Sequence, residues 1–189
     1  MVDEAKACGV DAVKFQTFKA AELISRYAPK ADYQKVTTGN EENQLEMTRK
    51  LELPYDEFIK LRDYAISLGL DTFSTPFDMD SIDFLEKKGQ VIWKIPSGEV
   101  TNLPFLERIA KFKITGKKII LSTGMCTVEE IHQAVDIICK YEKPENLIIL
   151  HCNTEYPTPD KDVNLSAIDT LHKEFPGIAI GFSDPSVGY

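Results

Sequence analysis

Six short apolar runs, each ending in polar residues, constrain the fold of this chain more than any other feature of its sequence. Most of them are separated by one amphipathic stretch with apolar residues at helical spacing. This alternation predicts an α/β chain whose parallel strands are joined by right-handed crossovers, so that their carboxyl ends meet on one face. The runs span residues 13–17, 73–78, 93–99, 121–125, 150–157 and 180–184.

Polar residues follow all six predicted strands, which favours a closed barrel over an open sheet. A (β/α)8 barrel of the TIM type places binding residues at the carboxyl end of every strand, whereas an open doubly wound sheet collects them at one switch point. A complete barrel needs about 250 residues. Because this chain has 189, we expect an incomplete TIM barrel, about strands 2 to 7, in one partial domain over residues 1–189. The longest interruption, residues 18–50, has the length of a functional lid.

Helix starts are predicted from capping residues. Asp80 or Ser81 opens a short helix, and Asn102 caps the next one. Residues 127–130 have the spacing of a capping box, in which the first and fourth residues bond each other's backbone. These signals place helices between the strands, as the barrel requires.

The composition indicates a cytoplasmic protein that binds neither nucleic acid nor a membrane. A net charge of -8 does not provide the basic stripe of a nucleic-acid surface. No apolar stretch approaches the roughly 20 residues of a membrane helix, and the first residues lack the features of a secretory signal. The four cysteines form no Cys-x-x-Cys pair, which favours reduced thiols. A few lysines focused in a cleft could still bind a small anion.

Lys14 and Lys94 stand inside apolar strand sequences, Val-Lys-Phe and Trp-Lys-Ile. An unpaired ammonium there would be costly, so each lysine needs a counter-charge. A structural salt bridge is one interpretation, but two such lysines at strand ends favour a phosphate or carboxylate ligand. A Schiff base with a carbonyl substrate is a third interpretation that spacing alone does not separate from these.

Hydroxyl side chains recur at the predicted strand ends, beside glycines or prolines where the backbone can approach a ligand closely. Any one of them would normally be a turn residue, but their repetition favours a cradle for an oxyanion. Glu99 and Asp184 are candidate acid-base groups or helix caps. Tyr156 lies in a rigid Tyr-Pro-Thr-Pro turn, where it either covers the pocket mouth or anchors the loop. The hydroxyls belong to Ser74, Thr75, Ser97, Ser122, Thr123 and Ser183.

His151 and Cys152 suggest a metal pair at first sight. Adjacent strand residues point to opposite faces, so at most one of them can face the pocket. The sequence offers no further ligands to complete a structural zinc site there. We therefore predict no metal ligand in this chain.

The strand ends carry, in order, Val-Lys-Phe-Gln-Thr, Ser-Thr-Pro-Phe, Trp-Lys-Ile-Pro-Ser-Gly-Glu, Leu-Ser-Thr-Gly-Met, His-Cys-Asn-Thr-Glu-Tyr-Pro-Thr-Pro and Gly-Phe-Ser-Asp. This ordered set resembles the sialic acid synthase family, which comprises N-acetylneuraminate synthase and its legionaminic and pseudaminic acid relatives. The resemblance runs across essentially all 189 residues. It implies a (β/α)8 barrel followed by a small antifreeze-like domain, which this sequence does not contain.

The resemblance also implies an activity. Such enzymes are transferases that condense phosphoenolpyruvate with N-acetylmannosamine or a related 2-acetamido sugar and release phosphate. They require a divalent metal, manganese or magnesium, and full-length relatives are homodimers. Glu99, Lys94 and Tyr156 are the implied catalytic residues. The implied substrate-binding residues are Lys14, Gln16, Thr75, Lys94, Ser97, Ser122, Thr154, Tyr156 and Ser183.

Three departures from the family pattern predict weak or absent turnover. Relatives place a metal-binding histidine where this chain has Pro185, and their second metal histidine belongs to an eighth strand that this sequence lacks. A first-strand glutamate that contacts the sugar is also missing, and Thr154 replaces an asparagine of some relatives. The alternatives are a Schiff-base TIM-barrel aldolase using Lys94 and an inactive fragment that binds ligands or associates with a complete subunit.

Overall fold

Parallel strands form at all six apolar runs. The structure is a computed structural model that describes residues 1–30, 35 and 42–186, so the predicted lid lies partly outside the described residues. Each strand is followed along the chain by at least one helical segment or, for the last, by a turn. The strands are β1 (Ala12–Thr17), β2 (Asp71–Pro76), β3 (Ile92–Ile95), β4 (Lys118–Ser122), β5 (Leu147–Cys152) and β6 (Ala179–Ser183).

Hydrogen bonding groups the strands into two sheets. One sheet pairs β1 with β2, and the other has the order β3-β4-β5-β6. The chain divides at the same place into two units, residues 1–88 and residues 89–189. All pairings between these strands are parallel. The prediction of an α/β chain with parallel strands is confirmed, and the single partial barrel domain stays a prediction.

The helices connect the strands as the alternation requires. Single turns of 3-10 helix cover Ser97–Glu99, Pro144–Asn146 and Asp160–Asp162. Among the residues described, no helix is long and apolar enough to cross a membrane. The α-helices are α1 (Val2–Ala7), α2 (Ala20–Leu23), α3 (Gln44–Arg49), α4 (Tyr55–Ser67), α5 (Met79–Lys87), α6 (Leu103–Ala110), α7 (Val128–Cys139) and α8 (Ser166–Glu174).

The predicted helix starts are confirmed at two positions and wrong at one. Asn102 caps α6, and residues 127–130 form the capping box of α7. Helix α5 begins earlier than predicted, because the carboxylate of Asp78 accepts the backbone N–H of Ser81 at 2.7 Å and therefore acts as the cap. The prediction had assigned this role to Asp80 or Ser81.

In the first unit, the two faces of the β1–β2 sheet differ in character. Phe15 packs against Phe58 of α4 with ring centroids 5.7 Å apart. Lys14 and Gln16 project from the opposite face, because side chains alternate along a strand, and both are exposed. The helix-covered face thus supplies the core, while the other face carries predicted site residues.

In the second unit, the helix-covered face of the four-stranded sheet is apolar. Trp93 is fully buried, and its ring lies 5.1 Å from that of Phe112 just beyond α6. The buried strand residues of this face alternate with the residues of the opposite face. They are Trp93, Ile95, Ile119, Leu121, Leu147 and Ile149.

Candidate active site

Lys94 and Ser122 meet on the face of the four-stranded sheet that points away from the helices. Lys94 pairs in register with Ile120, and Ser122 lies two residues further along β4 on the same face. The Nζ of Lys94 hydrogen-bonds the Ser122 hydroxyl and donates to the carbonyl of Ile95 at 3.2 Å. Two residues predicted to bind substrate are therefore in direct contact.

Ser97, Gly124 and Cys152 bring together the segments that follow β3, β4 and β5. The Ser97 Oγ accepts the backbone N–H of Gly124 at 2.9 Å and lies 3.4 Å from the Cys152 Sγ. Cys152 pairs in register with Ser183, so both side chains share the face of Lys94. We call Lys94, Ser97, Ser122, Gly124 and Cys152 the strand-end cluster.

Gly124 allows this close approach because it has no side chain. A Cβ atom there would lie 3.0 Å from the Cys152 carbonyl oxygen and 3.0 Å from the Thr154 Cγ2. The carbonyl belongs to the backbone of β5 and cannot rotate away. We expect Gly124→Ala to lower the free energy of unfolding by about 1–3 kcal/mol, as overpacking does.

Urea denaturation measures the effect of Gly124→Ala, and Gly98→Ala is its matched control. A Cβ on Gly98 would meet no atom within 4 Å, so this second variant should be unchanged or slightly more stable. Equal stabilities for the two variants would contradict the steric argument.

A cavity of about 540 Å³ lies beside the strand-end cluster within the second unit. Cys152 and Thr154 belong to its lining, and the starts of α7 and α8 supply apolar residues. Amide and hydroxyl side chains provide the polar part, including Asn153 and Thr170. Among the described residues that line it, no lysine or arginine occurs and Asp162 is the only acid. The cavity is therefore suited to a ligand without negative charge.

The Cys126 thiol, also in the cavity lining, has an unusually high pKa. Burial, and to a lesser degree the charge of Glu130 and the proximity of Cys152, raise the pKa of Cys126 to about 11. The thiolate is the reactive form, so Cys126 is protonated and slow to react near neutral pH.

Alkylation with iodoacetamide should distinguish Cys126 from the exposed Cys8. At pH 8 we expect Cys126 to react about tenfold more slowly than Cys8. A smaller fraction of Cys126 is present as thiolate, and the higher intrinsic nucleophilicity of its thiolate offsets only part of that loss. Its rate should rise with each pH unit towards pH 10. Peptide mass spectrometry over time gives both rates, and equal rates at pH 8 would contradict the predicted environment.

In the first unit, Lys14, Gln16 and Thr75 share the face of the β1–β2 sheet that lies opposite α4. Gln16 pairs in register with Thr75 and lies two residues after Lys14. Lys14 is exposed as a whole, but neighbouring protein atoms desolvate its ammonium and lower its pKa. Within the described part of the chain, Lys14 has no ion-pair partner. The buried Thr75 Oγ1 has no hydrogen-bond partner there either.

Comparison with models of known protein families matches residues 1–189 to the NeuB family. The chain belongs to the NeuB family. This membership confirms the resemblance inferred from the ordered strand-end motifs.

Individual relatives support the same assignment. The chain is 47% identical over 189 residues to an N,N'-diacetyllegionaminic acid synthase of Campylobacter jejuni, covering all of this chain and 55% of that protein. It is 43% identical to the Legionella pneumophila protein of the same description, covering 52% of it. A crystal structure of an N-acetylneuraminic acid (sialic acid) synthetase from Leptospira borgpetersenii matches all of this chain and 59% of that one, with 32% identity and a TM-score of 0.81. The chain thus spans about half the length of these relatives.

Three predicted site residues lie outside the hydrogen bonds of the strand-end cluster. The Glu99 carboxylate accepts the Asn102 Nδ2 at 2.7 Å, which orients the cap of α6. Tyr156 is 70% exposed and precedes the cis peptide bond to Pro157. Thr154 is exposed and contributes to the cavity instead.

Two predicted hydroxyls of the cradle bond other parts of the protein instead of the strand-end cluster. Ser74 lies on the helix-covered face of β2, where its Oγ is 2.5 Å from the Thr17 Oγ1. Thr123 donates its hydroxyl to the Leu150 carbonyl at 3.0 Å, which ties β4 to β5, and it lines the cavity. Strand alternation turns Ser74 away from the face of Thr75.

Asp184 bonds its own turn. Its Oδ1 accepts the backbone N–H of Ser186 at 2.9 Å, and the hydrogen bonds from Ser186 hold the pKa of the Asp184 carboxyl below its ordinary value. This bond closes a local turn and not a described helix start, so the helix-cap role predicted for Asp184 is not the observed one.

Sequence reasoning gave no role to Cys152 and treated Gly124 as one glycine among several. Two sequence features could have identified Cys152 and Gly124: the alternation of side chains along β5, and the Ser-Thr-Gly sequence at the end of β4. Parallel register then brings the two segments side by side.

The described residues do not by themselves fit a divalent metal. No group of three or more histidine, cysteine, aspartate or glutamate side chains is placed to hold one within the part of the chain that the structure describes. The Nε2 of His151 lies 2.8 Å from the Val163 carbonyl oxygen.

Proposed function

We propose that this chain binds phosphoenolpyruvate for a sialic acid synthase-type condensation with a 2-acetamido sugar. The observation that carries the proposal is the strand-end cluster, in which the Lys94 ammonium contacts the Ser122 hydroxyl and the Ser97 hydroxyl bonds the segment that follows β4. Family membership supports it, because the relatives compared above are named as synthases of legionaminic or sialic acid.

The cluster suits a ligand that carries phosphate and carboxylate groups. Lys94 supplies a cation, while Ser97 and Ser122 supply hydroxyl donors. In the first unit, the desolvated Lys14 and the unpartnered Thr75 hydroxyl are also suited to an anion. For Lys14, the alternative of a structural salt bridge is not supported by any ion pair among the described residues.

The proposed reaction balances as follows. C3 of phosphoenolpyruvate forms a bond to the aldehyde carbon of the open-chain sugar, and water adds at C2 while one of its protons converts the aldehyde oxygen to a hydroxyl. The C2–O bond to phosphate then breaks as C2 becomes a carbonyl, and the proton of the C2 hydroxyl passes to the departing phosphate or to solvent. Negative charge grows on the departing phosphate in the last step. Lys94 and Ser122 stabilise that charge through donors that the fold has already oriented.

We propose that the neutral cavity beside the cluster takes the sugar. An acetamido sugar is uncharged and has both an apolar methyl group and polar amide and hydroxyl groups, which matches the mixed lining of the cavity. N-acetylmannosamine and its diacetamido analogues all meet this description.

We also propose that the six strands belong to a (β/α)8 barrel and that the complete protein is a homodimer. The TM-score of 0.81 to the Leptospira synthetase over the whole chain supports the barrel. Pro185 stands where relatives carry a metal-binding histidine, so we propose that turnover is impaired. We also propose that turnover requires manganese or magnesium in solution, as the family resemblance implies.

Isothermal titration calorimetry with phosphoenolpyruvate tests the central proposal. We expect saturable binding that pyruvate, which lacks the phosphate, does not reproduce. Absence of phosphoenolpyruvate binding would overturn the proposed function.

A second assay follows phosphate release from phosphoenolpyruvate and N-acetylmannosamine with manganese. We expect slow release. A rate near that of a complete synthase would contradict the proposed impairment but not the proposed function. Borohydride trapping of a substrate adduct on Lys94 would instead support the Schiff-base aldolase.

A further inference from the structure

The Cys152 thiol contacts Ser97 within the strand-end cluster. Cys152 is 7% exposed, stands at the end of β5, and pairs in register with Ser183. Its Sγ lies 3.4 Å from the Ser97 Oγ, and either atom could donate the hydrogen bond. A shielded thiol therefore contacts a hydroxyl to which the proposed function gives a ligand-binding role.

The hydrogen bonds of Ser97 limit what its hydroxyl can offer a ligand. A serine hydroxyl has one proton and two lone pairs. One lone pair of Ser97 accepts the Gly124 N–H at 2.9 Å. If Ser97 donates to the sulfur, its proton is used inside the protein. If Cys152 donates to the second lone pair, the Ser97 proton is left for a ligand oxygen.

We propose that Cys152 is a positioning residue whose thiol donates to Ser97 and thereby directs the Ser97 proton towards the phosphate or carboxylate of phosphoenolpyruvate. This inference depends on the proposed function. With Gly124 donating from β4 and Cys152 donating from β5, the Ser97 oxygen is held from two sides, and the direction in which its proton points is fixed before the ligand arrives.

The test compares phosphoenolpyruvate affinity by calorimetry in three single variants. Cys152→Ala removes the donor, so we expect binding about 3- to 10-fold weaker, the effect of one hydrogen bond. Cys152→Ser retains a donor and should remain within about twofold of the parent protein. Cys139→Ala is the matched control, because this free cysteine ends α7 and is not among the residues that line the cavity, and the affinity of this variant should not change.

A double variant separates positioning from general structural damage. In a Ser97→Ala background, Cys152→Ala should cause no further loss, because the hydroxyl that it orients is absent. If Cys152→Ala does not fold, Cys152→Val removes the donor at similar volume and should give the same loss as expected for alanine.

Several results would overturn the inference. Unchanged or tighter binding in Cys152→Ala would mean that Ser97 donates to the sulfur. An equal loss in the Ser97→Ala background would indicate structural damage instead of positioning. Both results require a parent protein that binds phosphoenolpyruvate, so they are distinguishable from failure of the proposed function, in which the parent protein does not bind.

Discussion

Replacing Lys94 with methionine is expected to weaken phosphoenolpyruvate binding by about 10- to 100-fold, because a hydrogen bond from a charged donor contributes about 1.5–3 kcal/mol. Methionine keeps the unbranched stem of the side chain, so packing on the sheet should change little. The ammonium in contact with the Ser122 hydroxyl is what is lost. Calorimetry on the parent and the variant gives the ratio of dissociation constants.

Lys118→Met is the matched control for this prediction. Lys118 begins β4 at the opposite end from Ser122, and its Nζ donates to the Glu145 carbonyl at 3.0 Å and to Asn146 at 2.9 Å. The change in net charge is the same, but binding should stay within about twofold, since the charge lies at the far end of β4 and is screened by salt. An equal loss in both variants would indicate a general charge effect and contradict the assignment of Lys94.

The largest loss of stability is expected at Lys117, a residue outside the strand-end cluster. Its side chain is 1% exposed and forms an ion pair with Glu142 at 2.8 Å. The Nζ also donates to three backbone carbonyls at the end of α6, those of Ile109, Ala110 and Phe112, at 3.1, 2.9 and 2.6 Å. The lysine thus caps a helix from inside the protein.

Lys117→Met should lower the free energy of unfolding by about 3–5 kcal/mol. The reason is that the variant leaves the mostly buried Glu142 carboxylate without this partner, and three carbonyls lose a donor. Urea denaturation followed by circular dichroism measures the change.

Lys111→Met provides the comparison for Lys117. Lys111 forms an ion pair with Glu107 at 3.1 Å, but its side chain is 50% exposed. Solvent screens such a pair, so its contribution to stability is small. If Lys117→Met lowered the free energy of unfolding by an equally small amount, burial of Lys117 would not contribute to stability as argued.

The sequence predicted the elements well where the signal was local. The capping box of residues 127–130 and the cap at Asn102 depend on side chains within three residues of one another, and both are confirmed. At α5 two neighbouring acids competed, and only the backbone conformation selected Asp78 over Asp80. Local chemistry therefore predicted the type of an element more reliably than the residue at which the element begins.

The candidate site was predicted in part. Lys94, Ser97 and Ser122 were named from the sequence and are joined by hydrogen bonds to each other or to Gly124 and Cys152. Glu99 was predicted to be catalytic, but its carboxylate bonds the cap of α6. Such partners depend on the direction of individual side chains, which a motif does not contain.

By itself, the sequence determined the order of strands and helices, the parallel direction of the strands and the family, because alternating apolar patterns and ordered motifs are properties of the chain read from end to end. Only the tertiary structure decided that Ser97, Gly124 and Cys152 meet, and that the hydroxyls of Ser74 and Thr123 bond other parts of the protein. The physical reason is strand register: it brings together residues far apart in the sequence, and a shift by one residue would turn each side chain to the opposite face.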